Sequence, residues 1–158
     1  MDERRPIQET YNPQAAICYG CGPHNPHGLH IRTYWDGTLG HCYFQPRAEH
    51  TAFPGYVYGG LLASLIDCHS VGTAIAAMYS AEGREPGTEP EITCVTGNLN
   101  VTYLKPTPID GTLRLEARVL ELSERKARIA CSIYFTQTGE ETVRGEVIAV
   151  RVPSRLMS

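Results

Sequence analysis

The chain has 158 residues, with 14 Lys and Arg against 17 Asp and Glu, a formal charge of −3, and no long run of like charge. That length suits one domain with a sizeable core, and the charge balance argues against a basic nucleic-acid surface or attraction to an anionic membrane. Apolar windows are short or broken by Gly, Asp and His, and the opening MDERRPIQET is charged, so no transmembrane segment or signal peptide is expected and a cytoplasmic chain is the default.

Residues 1–16 are polar, carry two prolines and read as an N-terminal arm. Residues 17–153 read as a single domain and 154–158 as a C-terminal tail. The six cysteines, at 18, 21, 42, 68, 94 and 131, are too few and scattered for a disulfide framework. Cys18-Tyr-Gly-Cys21 is followed by His24, His27 and His30, residue types that can ligate zinc. A full zinc motif would want a second CxxC or an HxxxH, and the segment is dense in Gly and Pro. It reads as a tight turn with packing cysteines, and no metal is expected.

Segments 29–36 and 38–46 form a predicted hairpin, with Asp36-Gly37 as the turn. A loop with Phe53, Pro54 and Gly55 leads into a predicted helix over 58–79. Leu61, Leu62, Leu65, Ile66, Val71, Ile75 and Met78 cover most of its circumference, with alanines in the gaps. A helix apolar nearly all round belongs inside something. After a polar loop at 81–91, segments 92–106, 112–122, 126–138 and 141–153 read as strands, divided by turn signals at 106–111, 123–125 and 139–140. Leu113, Leu115, Ala117 and Val119 alternate with polar residues, as do Ile129, Cys131, Ile133 and Phe135. One face of the sheet is therefore buried. The expected class is α+β: six antiparallel strands curled around one long central helix.

The chemistry-bearing segment is PGYVYGGLLASLIDCHS, residues 54–70. Gly59 and Gly60 leave the first amides of the helix open to a ligand, at the positive end of its dipole. Asp67 follows about two turns later, and a carboxylate in an apolar helix is costly unless it is paired or faces a wet cleft. It is either a satisfied structural Asp or a catalytic one. Cys68 and His69 project about 100° and 200° away from Asp67 and cannot join it on one atom. Cys68 reads as a small buried residue, and His69 as a polar group at a subunit interface.

Four segments in order, CYGCGPHNPHGLHIR, FPGYVYGGLLASLID, TGNLNVTYLKPTP and LRLEARVLELSERKARIACSIYF, resemble the hotdog-fold acyl-CoA thioesterases of the PaaI-like superfamily over residues 17–152. The resemblance implies Asp67 as general base or nucleophile, eight positions beyond Gly59, whose N–H would meet the thioester carbonyl. It implies Thr96 as a hydroxyl that helps hold the attacking water. Tyr58 stands where the family usually has histidine, and a phenol can also donate a hydrogen bond. Glu49 and His50 are the polar candidates in the preceding loop. Gly60, Phe53 and Tyr56 would contact substrate, with Tyr43 and Tyr103 as further candidates for an acyl or aryl pocket. Lys105, Arg125 and Lys126 sit at strand ends where a CoA phosphate could be met. No cofactor is implied. The implied partners are acyl-CoA and further copies of the chain, as a homodimer or dimer of dimers, without nucleic acid or membrane. The alternatives are a non-catalytic acyl-CoA binding or sensing protein, and a hotdog hydratase or dehydratase. The last would want a histidine and a carboxylate converging, which the Asp67–His69 spacing does not provide.

Overall fold

The fold is built around a 23-residue helix, α1 (Gly59–Ala81), whose side chains at Leu61, Leu62, Leu65 and Ile66 and throughout 72–79 are buried. By length and composition it could cross a membrane, yet most of it is enclosed by protein. The computed structural model describes residues 4–153; the predicted tail 154–158 lies outside the described residues. Six strands form one antiparallel sheet: β1 (Tyr34–Trp35), β2 (Leu39–Phe44), β3 (Thr93–Tyr103), β4 (Leu113–Leu122), β5 (Lys126–Phe135) and β6 (Glu140–Val152), in the order β1-β2-β4-β5-β6-β3. Helix α1 packs against all six strands.

The period-two pattern sets which side chains face the helix. Leu113, Leu115 and Ala117 on β4, Ile129, Cys131 and Ile133 on β5, and Val143, Val147 and Ala149 on β6 are all nearly inaccessible. Burying a side chain of Leu, Ile or Val size contributes about 2 kcal/mol, so this inner face supplies much of the stability. Two glycines let helix and sheet approach. A Cβ at Gly40 would lie 2.1 Å from Thr73 Oγ1, and one at Gly145 would lie 3.0 Å from Ile66.

The first hairpin is where the sequence reading and the structure diverge. Residues 29–36 were expected to be a strand, but only Tyr34 and Trp35 pair with β2. His30 has φ 55°, outside the strand region. The amides of Leu29 and Ile31 donate instead to the carbonyls of Tyr19 and Gly20. Leu29, Ile31 and Thr33 still alternate inward, so the burial pattern survives without the ladder. Residues 4–16 are not a loose arm: Ile7, Gln8 and Ala16 are buried, and Ile7 donates its N–H to the Thr33 carbonyl.

A buried polar chain locks that segment to the helix. Gln8 accepts from the Thr33 N–H at 2.7 Å and donates to Thr33 Oγ1 at 3.0 Å. Thr33 Oγ1 lies 2.9 Å from His69 Nδ1, and His69 Nε2 lies 3.0 Å from the Gly40 carbonyl. A carbonyl only accepts, so Nε2 carries the proton and Nδ1 accepts from Thr33. His69 is fully buried within the subunit, which corrects its reading as an interface group.

Burial holds the His69 pKa down to about 4. Its folded value lies below the unfolded one of about 6.5, so its contribution is complete above pH 6.5 and declines as pH falls toward 4, amounting to roughly 3 kcal/mol. Urea midpoints should fall more steeply between pH 7 and pH 4.5 for the wild type than for His69→Gln. Parallel pH profiles would contradict the assignment.

Candidate active site

Helix α1 is covered on most sides but not all. Gly60, Ala63, Ser64, Asp67, Cys68 and Val71 are exposed or half-buried, and their spacing of three and four residues makes them one stripe. Asp67 lies on this uncovered line. Thr96 Oγ1 donates to Asp67 Oδ1 at 2.6 Å, so the structure brings together, within one chain, two residues 29 positions apart that the sequence reading had named as separate members of the site. The register between β3 and β6 shifts between Thr96 and Asn98. Such a bulge re-aims the neighbouring side chain, and a Cβ at the intervening Gly97 would lie 2.8 Å from Val150.

Partial burial pushes the Asp67 carboxyl above its ordinary range; the Thr96 hydrogen bond pulls it down, and the Cys18 thiol adds to the rise. A carboxylate with reduced hydration and one oxygen held in place is a stronger and better-aimed base than a free surface Asp.

At the start of α1, Leu61 and Leu62 fold back to donate to the Tyr58 carbonyl, while the amides of Gly59 and Gly60 have no partner within the helix. Two tyrosines flank this pair. The Tyr58 ring lies across Gly60, where an added Cβ would come within 2.5 Å of it. The Tyr103 ring lies 3.5 Å from a Cβ built at Gly59, and its hydroxyl donates to the Gly59 carbonyl at 2.7 Å. Burial, with an electrostatic contribution from the neighbouring Tyr58 position, raises the Tyr103 pKa and keeps it a donor. The sequence reading gave Tyr103 only a pocket-lining role; its place at the far end of β3, level with the start of α1, makes it the group that positions the Gly59 peptide.

Beside this end lies an apolar cleft of about 610 Å³ lined by Phe53, Tyr56, Gly59, Leu62, Tyr103 and Lys105, among others. It gathers three of the expected substrate contacts, Phe53, Tyr56 and Lys105. The Lys105 ammonium is paired with Glu140. Tyr43 is exposed on β2 and is not among the lining residues. Arg125 and Lys126 sit elsewhere, where the β4–β5 turn meets the end of β6: Arg151 donates its N–H to the Arg125 carbonyl and binds Glu82 at the C-terminal end of α1. Within one chain they do not join the cleft. Glu49 pairs with Arg47, and the His50 ring accepts from the Arg47 N–H at 2.9 Å, so both belong to a local turn.

The cysteines give the largest departure from the sequence reading. Cys18 and Cys21, read as a turn, and Cys68, read as simple packing, converge, their three Sγ atoms all within 4.8 Å of one another. His24, His27 and His30 do not join them among the described residues. Nothing in sequence spacing links a CxxC pair to a helix residue 47 positions later.

The Thioesterase superfamily profile matches residues 54–142, more than half of the chain, and the chain belongs to that superfamily. A thioesterase superfamily protein from Shewanella loihica PV-4 is 34% identical, with a TM-score of 0.62 over 92% of this chain and 99% of its own. Acyl-coenzyme A thioesterase THEM4 of Rattus norvegicus is 28% identical over 109 residues, 69% of this chain. The chain spans about 40% of the length of that relative. The PaaI protein of the E. coli phenylacetic acid degradation operon shares the fold at 16% identity, with a TM-score of 0.63 over 79% of this chain and 81% of its own. The architecture, one six-stranded antiparallel sheet wrapped around one long helix, is the hotdog fold.

Proposed function

We propose that this protein hydrolyses acyl-CoA thioesters, with Asp67 as general base. The observation that carries the reading is the Thr96–Asp67 hydrogen bond on the uncovered stripe of α1, in a chain of the thioesterase superfamily. Thr96 occupies Oδ1 and leaves Oδ2 to take a proton from water. The water oxygen attacks the thioester carbonyl carbon while the Gly59 amide, aided by the Tyr58 phenol, receives the developing negative charge on oxygen. Collapse breaks the carbon–sulfur bond, the proton passes from Asp67 to the leaving sulfur, and the acid and free CoA depart. Such a reaction needs no metal at the reacting atoms.

Geometry adds a requirement. Asp67 lies eight positions beyond Gly59, about 12 Å along the helix axis. A single thioester cannot touch both within hydrogen-bond reach, so the amide of one copy must work with the carboxylate of another. Strand β3 supports that pairing: it ends the sheet, residues 95–100 are all exposed, and its apolar side chains include Val95, Leu99 and Tyr103. An edge of this kind invites a second strand. A copy pairing there by two-fold symmetry would set the two α1 stripes face to face, with Gly59 of each near Asp67 of the other. The relationship to THEM4 supports acyl-CoA as substrate.

One observation favours a second reading. Tyr58 stands where the resemblance leads one to expect histidine, as it would in a protein that binds acyl-CoA without cleaving it. Thiol release across a panel of short, long and aryl acyl-CoA esters decides between them: turnover is expected, and tight binding with no release would identify a binding protein. Tyr58→Phe is expected to slow turnover by roughly tenfold to a hundredfold, as for one lost donor to a developing oxyanion. An unchanged rate would leave the backbone amide to act alone. Light scattering at micromolar concentration should report at least a dimer, and an active monomer would break the shared-site geometry.

A further inference from the structure

Cys18 and Cys21 lie in the loop that follows a short 3-10 turn at Ala15–Ile17, and Cys68 projects from the uncovered stripe of α1. Cys18 Sγ is 3.9 Å from Cys68 Sγ. The loop is held in place by its own backbone: Gly22 donates to the Cys18 carbonyl at 2.8 Å, His24 to Ala16 at 2.9 Å, and Leu29 and Ile31 return to Tyr19 and Gly20. Glycine at position 20 is what lets the loop close over the helix, since a Cβ there would lie 2.4 Å from Cys68 Sγ. The three sulfurs are thus brought together by a preformed scaffold.

A disulfide needs two sulfurs at about 2.05 Å; here three are spaced as a triangle with every side under 4.8 Å. Three thiolates on one ion, each bonded at about 2.3 Å, would stand about 3.8 to 4.0 Å apart. The loop and helix therefore hold nearly the triangle that one ion would impose. Cys18 is exposed, which leaves an entry path.

We propose that Cys18, Cys21 and Cys68 form a three-thiolate site for a thiophilic d10 cation, zinc(II) or copper(I), that fastens the 18–28 loop to α1 beside Asp67. Sulfur ligands select both ions over hard cations such as magnesium or calcium. Three thiolates satisfy copper(I) in a trigonal site and leave zinc one position for water. Loading releases protons from the thiols, so occupancy falls with acid. The site is separate from the proposed hydrolysis and stands or falls without it.

The test uses the full chain, free of any histidine tag and purified under reducing conditions. Elemental mass spectrometry should find one zinc or copper per chain and so identify the ion. A thiol-reactive chromogenic disulfide should titrate three more thiols after chelation than before. Cobalt(II) added to the stripped protein should give thiolate-to-metal charge transfer that zinc displaces. Cys68→Ser and Cys18→Ser should each lose stoichiometric retention and weaken the cobalt band, whereas Cys131→Ser, in the sheet core, should leave both unchanged. If the serine variants fail to fold, the wild-type thiol count before and after chelation still decides. No retained metal with the same number of reactive thiols before and after chelation would overturn the proposal. So would a cobalt band insensitive to Cys68→Ser, or peptide masses showing a disulfide among the three cysteines.

Discussion

Helix α1 is apolar around most of its circumference, and it is stable in water only where other parts of the chain cover it. The curled sheet, the 4–16 segment and the loop from 18 to 33 meet that need together. Close approach at Gly40 and Gly145 and the Gln8–Thr33–His69–Gly40 chain set the depth at which the helix sits. What remains uncovered is one stripe, and Asp67 stands in the middle of it. The position of the carboxylate is thus a consequence of how the core closes. A helix wrapped on all sides would have had to bury that charge, and one wrapped less would have left it as an ordinary surface acid.

The same closure sets the two halves of the proposed chemistry apart. The open amides at Gly59 and Gly60 lie at one end of the stripe and the carboxylate about 12 Å further on, and β3 leaves an unpaired sheet edge beside them. Two-fold pairing along that edge would resolve three features at once: the free strand edge, the exposed apolar side chains on β3, and the separation of amide from base. Tyr103 links the first two to the third, because it sits at the end of β3 and holds the Gly59 peptide by its carbonyl.

Much of this was legible in the sequence where local pattern and tertiary demand agree. Alternation in β4 and β5 marked their inward faces, the all-round apolar helix marked the centre, and the resemblance named both Thr96 and Asp67 as site residues, though not their contact. Legibility failed where contacts between distant segments decide. His30 adopts a positive φ, and the amides on either side of it pair with the cysteine loop, which reduced a predicted strand to two residues. Ile7 and Gln8 look like part of a polar arm until Thr33 is seen to need Gln8 as partner. Arg125 and Lys126, cationic and at a strand end, share a sequence description with Lys105 but lie away from its cleft. The convergence of Cys68 on the Cys18–Cys21 loop leaves no signature in spacing, because it depends on where the loop crosses the helix and on a glycine at position 20.

The account turns on whether the Asp67 carboxylate performs the chemistry, and Asp67→Asn asks this most directly, since it keeps size and most hydrogen-bonding capacity while removing the basic oxygen. Acyl-CoA turnover should fall by roughly a hundredfold to ten-thousandfold, the span expected for a positioned base, with thermal stability and acyl-CoA affinity nearly unchanged. An Asn variant that melts earlier yet turns over at the wild-type rate per folded molecule would make Asp67 a structural partner of Thr96 and contradict the mechanism.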